Sequence, residues 1–302
     1  MSELFEKIDC PICRSSDYTH FISTFDRFDP KKELNFEIVK CQRCEFVYLN
    51  PRPGEEEIGK YYKSDSYDPF ISTGKSKNFR DKIYLLIRNI NLQLKVAKIN
   101  KLTKPGCLLD IGCATGEFLN AMKRRNWKTI GVETDDKARN FSIKKGFKVF
   151  DSLDNLDKNY KYDVISLWHV LEHIHKLQNS VDLIGKLMNK GGFLIMAVPN
   201  IKSSDFNKYR SNWIALDAPR HLYHFSPVSI NRLLVPYGFK LVNSWPLIFD
   251  SFYNHLMSRN LKYSALRGWK SAAAGLLCGF LQMVLFSKCY SSSLVYCFVK
   301  EK

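Results

Sequence analysis

A chain of 302 residues, 45% hydrophobic and 25% charged, is long enough to bury one large core with a small appendage, and its composition excludes a disordered or fibrous protein. Its net charge of +16 is uneven, with 13 basic and 4 acidic side chains in residues 201–302. That balance fits an anionic partner (nucleic acid, a phosphorylated substrate, acidic lipid headgroups) as well as a plain solvated basic surface. The start, MSELFEKIDC, carries acids where a cleavable signal needs a long apolar run, and the cysteines form no secreted disulfide framework, so a cytoplasmic protein is expected.

Residues 1–52 read as a small zinc-ribbon-like unit. Two knuckles, Cys10-Pro-Ile-Cys13 and Cys41-Gln-Arg-Cys44, flank 27 residues. Together they offer four thiolates to one tetrahedral Zn2+, although the loop is longer than usual; four reduced thiols are the alternative. Such a closed site is structural, and a core this small gains its stability from the metal. PRPGEEE (51–57) marks a boundary, and residues 53–104 read as a helical linker or cap interrupted by YYKSDSYDPF. Tyr61, Tyr62 and Tyr67 either close over a ligand or pack in a core. The stripe in KIYLLIRNINLQLKVAKINKL suits core packing first and a membrane surface second.

From residue 105 the pattern alternates. CLLDIG (107–112) is a short apolar strand, GEFLNAMKRRN has helical period, and TIGVE (129–133) is the next strand. TDDKARNFSIKKG is a helix with an acidic start and a basic end; KVF (148–150) and YDVISLW (162–168) are strands. QNSVDLIGKLMNKGG reads as a helix closed by glycine, and FLIMAVPN (193–200) as the fifth strand. SPVSINRLLVPYGF is a helix capped by Ser226 with Pro227 in its first turn. KLVNSWPL and SSSLVYCFVKE are two closing strands. The fold class is therefore α/β: a Rossmann-like, doubly wound, seven-stranded sheet over residues 105–302, with a helical insertion at about 250–290 before the last strand. The insertion contains SAAAGLLCGFLQMVLFS (271–287), uncharged between Lys270 and Lys288, with Gly275 and Gly279 spaced for close helix approach. It falls short of the roughly 20 residues of a spanning helix. A buried or dimer-interface helix is the first reading, and a peripheral contact with the inner face of a membrane the second.

LLDIGCATGEFL (108–119) points to a ligand. A strand delivers Asp110, and Gly112, Ala114 and Gly116 turn tightly into a helix, small because a ligand lies against the backbone. Glu133, at the tip of the next strand, is placed to accept hydrogen bonds from ribose hydroxyls. A pyrophosphate binder wants G-x-G-x-x-G. Here an acid precedes the turn, which suits a cationic amino-acid tail.

With DIGCATG (110–116), GVETD (131–135), YDVISLWHVLEHI (162–174) and GGFLIMAVPN (191–200), the sequence resembles the class I S-adenosylmethionine (SAM)-dependent methyltransferases over about 105–249 and 292–301. It is similar, more narrowly, to a bacterial branch with an N-terminal CxxC…CxxC unit and a late segment like WIALDAPRHLYHFSP (213–227), whose members modify sugars, surface polysaccharides or small metabolites. Ala114 departs from the usual middle glycine, and the acid that meets adenine has its counterpart in Asp151. The chain leaves no room for the further C-terminal domain of some sugar C-methyltransferases, so their substrate is not carried over. The resemblance implies that Trp168 and His169 line the cofactor pocket and that Glu172 and His173 order the turn.

WHVLEHIH (168–175) also spells the inverted zinc-peptidase motif at His169, Glu172 and His173. A peptidase needs both histidines on one helix, a third ligand and an open position; this stretch starts at a strand tip, so the peptidase reading is set aside. The acceptor side is expected in SNWIALDAPRHLYHFSP, where Trp213, His221, Tyr223 and His224 cluster. Methyl transfer is an in-line displacement that needs alignment, and an oxygen or nitrogen nucleophile also uses a base, His221 first and His224 second. The leading expectation is a methyltransferase acting on an oxygen, nitrogen or carbon of a small-molecule, sugar or lipid-linked acceptor. A nucleic-acid or RNA methyltransferase is the second, disfavoured because LWHV stands where adenine-N6 and cytosine-C5 enzymes carry their motifs. A non-catalytic partner-binding protein is the third, disfavoured by an intact Asp110 and Glu133.

Overall fold

In the computed structural model, residues 5–29, 34–62, 79–262 and 290–301 are described. Tyr67 and the apolar stretch 271–287 lie outside them. The N-terminal strands are β1 (Phe5–Glu6), β2 (Tyr18–Phe25), β3 (Asn35–Cys41), β4 (Val47–Leu49) and β5 (Arg52–Pro53), followed by helix α1 (Phe79–Leu102). Strands and helices then alternate: β6 (Cys107–Ile111), α2 (Glu117–Lys123), β7 (Lys128–Val132), α3 (Asp136–Lys144), β8 (Lys148–Phe150), β9 (Tyr162–Trp168), α4 (Leu177–Leu187) and β10 (Met188–Pro199). The remainder is α5 (Ser204–Tyr209), β11 (Tyr223–His224), α6 (Pro227–Leu234), β12 (Phe239–Pro246), α7 (Ile248–Lys262) and β13 (Ser293–Lys300).

Seven strands make one sheet in the order β12-β13-β10-β9-β6-β7-β8. β6 to β10 are parallel, and β13 runs antiparallel between β10 and β12. The apolar runs of the central strands are buried on both faces, as a helix-covered parallel sheet requires. The chain walks outward through β7 and β8, then returns to the other side of β6 with β9. The crevice at the carboxyl ends of β6 and β9 is thus the switch point where such sheets take ligands.

Two local readings changed. The glycine pair does not close a helix: α4 ends at Leu187, Met188 already pairs with Tyr162, and the register shifts between Met188 and Phe193. Gly191 takes φ +78°, and a Cβ on Gly192 would lie 2.9–3.2 Å from the carbonyl oxygens of Asn189, Asp163 and Tyr162. The pair forms a strand bulge, a place where glycine is needed. The apolar stripe of α1 divides between two faces. Val96 and Ile99 are buried beside Leu108, whereas Leu86, Ile90 and Leu94, four residues apart, are exposed. Among the described residues no helix is long and apolar enough to cross a membrane.

The N-terminal strands form a sheet in the order β11-β4-β3-β2, so its outer strand, Tyr223–His224, arrives from the far end of the chain. Phe46 packs on Phe225 and Tyr223, with ring centroids 5.4 and 6.0 Å apart. Arg220 is fully buried in the loop before β11. It donates to Asp26 at 2.6 and 3.2 Å, to Asp217 at 2.9 Å and to the Tyr61 carbonyl at 3.0 Å. The loop that carries His221 and His224 is therefore fastened to the cysteine-bearing unit by a shared sheet and a buried ion cluster.

Candidate functional site

Strand β6 brings Asp110 to the switch point, 2% exposed, where its carboxylate accepts a 2.6 Å hydrogen bond from Ser166 of β9. Burial pushes the Asp110 carboxyl up to about 7, against the pull of the Ser166 hydroxyl and the Lys95 ammonium. The turn that follows is left-handed at Gly112 (φ +71°), Ala114 (φ +47°) and Gly116 (φ +80°). A Cβ on Gly112 would stand 2.4 Å from a Val170 methyl, so only glycine fits. Ala114 carries a left-handed cost of about 1–2 kcal/mol. Two hydrogen bonds hold it there: its amide donates to Glu133 at 2.8 Å, and its carbonyl accepts from Ser142 at 2.8 Å. The second Glu133 oxygen accepts from the Asp135 amide at 2.9 Å, so this carboxylate fixes the turn to the tip of β7. Asp151 follows β8, exposed, and accepts from Asn155 at 2.6 Å.

A cavity of about 410 Å3 opens at these strand ends. Asp110, Gly112, Ala114 and Trp168 line it, faced by Arg88 and Lys95 of α1. The Lys95 ammonium lies 4.1 Å from the centroid of the Trp168 ring, and Phe118 meets that ring edge-on at 5.5 Å. The Trp168 indole N–H is buried without a hydrogen-bond partner. The volume matches the roughly 300–1,000 Å3 of small-ligand pockets. Glu117 also lines the cavity and pairs with Arg88 at 3.4 Å, so two acids, two cations and an orphaned donor surround one apolar hollow, a set that fits a zwitterionic amino-acid tail joined to an aromatic base.

His169 is not part of this lining. Its ring sits between Glu172 (Nδ1, 3.2 Å) and Asp250 of α7 (Nε2, 2.8 Å). Burial alone would lower its pKa; the two carboxylates instead raise it to about 9, a cation at neutral pH. His221 and His224 also stand apart from the cavity lining. Both are buried, and burial, with a neighbouring histidine in each case, lowers them to about 4 and about 3. Each is a weak proton acceptor at neutral pH. Trp213 is core, its indole donating to Ser292 at 3.0 Å, and the Tyr223 hydroxyl bonds Arg52 and the His175 carbonyl.

The four N-terminal cysteines converge. Their sulfurs lie within 4.8 Å of one another, with Cys10–Cys44 at 3.4 Å and Cys13–Cys41 at 3.5 Å. A tetrahedral zinc about 2.3 Å from each thiolate spaces the sulfurs by roughly 3.8 Å, so the donor set fits that ion. Each knuckle closes alike, with the Arg14 and Glu45 amides donating to the Cys10 and Cys41 carbonyls from left-handed residues.

Residues 79–244 match a family described as methyltransferase domain. The chain belongs to this methyltransferase family. It is 27% identical over 233 residues to the ubiquinone biosynthesis O-methyltransferase of Pelagibacter ubique, covering 67% of this chain and 95% of that one. It is 28% identical over 194 residues to an uncharacterised protein of Methanocaldococcus jannaschii, covering 62% and 78%. Among solved structures it resembles the magnesium protoporphyrin IX methyltransferase of Synechocystis with bound S-adenosylhomocysteine, at TM-score 0.53, 15% identity, and 82% and 100% coverage. It also resembles a Haemonchus contortus phosphoethanolamine N-methyltransferase, at TM-score 0.51, 13% identity, and 94% and 69% coverage. At such identities these structures speak for the fold alone. The protein is a SAM-dependent methyltransferase on a Rossmann-like sheet.

The sequence reading missed Arg88, Lys95 and Asp250. The two cations sit on α1 at seven-residue spacing, two turns of one helix face, but nothing local says that this face meets the switch point.

Proposed function

We propose that this methyltransferase acts on an oxygen of a small-molecule, sugar or lipid-linked acceptor. The cavity at the switch point, with Asp110 and two cations around Trp168, carries the reading. The likeness to an enzyme named as an O-methyltransferase supports oxygen as the acceptor atom. When bound, SAM supplies a methyl group on a sulfonium. Asp110 holds the amino end of its tail and Arg88 or Lys95 the carboxylate. Glu133 accepts the ribose hydroxyls through its remaining lone pairs, and Asp151 stands at the adenine end. Trp168 and Phe118 form an apolar wall that keeps water from the reacting centre. Cys10, Cys13, Cys41 and Cys44 hold a structural zinc, and the N-terminal unit serves as the platform for the loop over the acceptor side.

Labelled SAM offered with nucleotide sugars, lipid-linked glycans and small hydroxylated metabolites tests the acceptor class. Transfer to one of these supports it, and transfer only to RNA or protein overturns it. The cofactor also reads the state of Asp110. Only the ionised carboxylate pairs with a cationic amine, so affinity for S-adenosylhomocysteine falls as pH drops through about 7, by up to about tenfold per unit. Calorimetry across about pH 5.5–8 checks this; a flat profile would remove Asp110 from the contact.

A further inference from the structure

The spelling His169-x-x-Glu172-His173 returns with a different partner. His169 is not free to bind an ion, because both its ring nitrogens are engaged by Glu172 and Asp250. The loop before β11 instead brings His221 against the short turn Leu171–His173, and Glu172, His173 and His221 each present a ligand atom within 4.8 Å of the others. The His173 and His221 rings meet edge-on at 4.7 Å.

The hydrogen bonds prepare these groups for a ligand. His173 Nδ1 lies 2.8 Å from the Tyr62 hydroxyl and 3.0 Å from the Arg220 carbonyl, and His221 Nδ1 lies 2.8 Å from the Ala215 carbonyl. The Tyr62 hydroxyl can donate or accept and leaves the His173 tautomer open, whereas the Ala215 carbonyl can only accept, so His221 carries its proton on Nδ1 and keeps a lone pair on Nε2. Histidines that bind metal are oriented in this way. Glu172 is fully buried; one oxygen meets His169 and the other has no hydrogen-bond partner. An unpartnered carboxylate oxygen at that depth calls for an explanation.

We propose that Glu172, His173 and His221 bind one divalent first-row transition-metal ion. Two imidazoles and one carboxylate make a ligand set that zinc, manganese and iron(II) share, and it leaves coordination positions open for oxygen. This site is separate from the four cysteines in both place and donor chemistry. It reaches the cavity through His169, which follows the cavity-lining Trp168 and bonds Glu172. On the methyltransferase reading proposed above, the ion would take an oxygen of the acceptor; metal binding itself does not depend on that reading.

The test uses the full chain with its cysteine site loaded. Mn2+ and Zn2+ are titrated separately into wild type, Glu172→Gln and His221→Gln, with S-adenosylhomocysteine binding measured on each sample as a check of folding. The expected result is one further equivalent per chain for at least one ion, weakened at least tenfold by either substitution, with cofactor affinity unchanged. If the variants do not fold, cobalt-loaded wild type decides: weak ligand-field bands of a nitrogen and oxygen site appear beside the thiolate charge-transfer bands. No further equivalent of either ion, uptake that ignores both substitutions, or thiolate bands alone would overturn the proposal. Loss of cofactor binding in wild type would count against the enzyme reading and leave the metal result standing.

Discussion

Arg220→Met lowers the stability of the protein by about 3–5 kcal/mol, the cost of leaving buried carboxylates without their cation. Arg220 is fully buried and bonds both oxygens of Asp26 and one of Asp217. Methionine fills much of the same space, so the loss is electrostatic more than steric. For a chain of 302 residues it amounts to a melting shift of roughly 5–8 °C. The acid limb carries a second signature. Burial alone would raise the Asp217 carboxyl, but Arg27, His221 and Arg220 hold it well below its usual range. That contribution is present above about pH 4 and is lost on further acidification, so the variant loses less stability than wild type between about pH 5 and 2. Thermal melts over that range decide it. A shift under 2 °C at neutral pH would mean that the cluster is solvated.

Cys44→Ser removes one zinc equivalent per chain and loosens the loop over residues 213–227 without disturbing the cofactor cavity. The reason lies in the sheet. Cys41 ends β3, Cys44 follows it, and β4 pairs with Tyr223–His224 three residues further on. The Cys44 carbonyl also accepts from Arg232 of α6. A structural zinc contributes about 10–16 kcal/mol in small finger peptides, so on the zinc assignment proposed above the unit around β2 to β4 is expected to depend on it heavily. Hydrogen exchange reads the outcome: amides of 35–49 and 213–227 exchange faster, while those of 107–133 keep wild-type protection. Uniform acceleration would place the zinc in the global core, and no change would leave the cysteines without a metal role.

The alternation of strands and helices, the DIGCATG turn and the two knuckles were legible because each is a local pattern: a period, a run of small residues, a spacing. Asp110, Gly112, Ala114 and Trp168 meet at one cavity because strand tips of a doubly wound sheet converge at the switch point. What the pattern did not disclose depends on distant pairing. β11 has only two residues, too few to show a period, and its partner β4 lies about 175 positions earlier. The His169–Asp250 bond joins β9 to a helix 81 residues away. For the same reason the His-x-x-Glu-His stretch, set aside as a peptidase motif, gave no sign that its glutamate and second histidine meet a third group, His221, from another loop.

The cofactor assignment is tested most directly by calorimetric titration of the full chain with S-adenosylhomocysteine, beside Glu133→Ala. Micromolar binding by wild type is expected, weakened roughly tenfold to a hundredfold when the charged hydrogen bonds of Glu133 are lost. Absence of binding by folded, zinc-loaded wild-type protein would contradict the account.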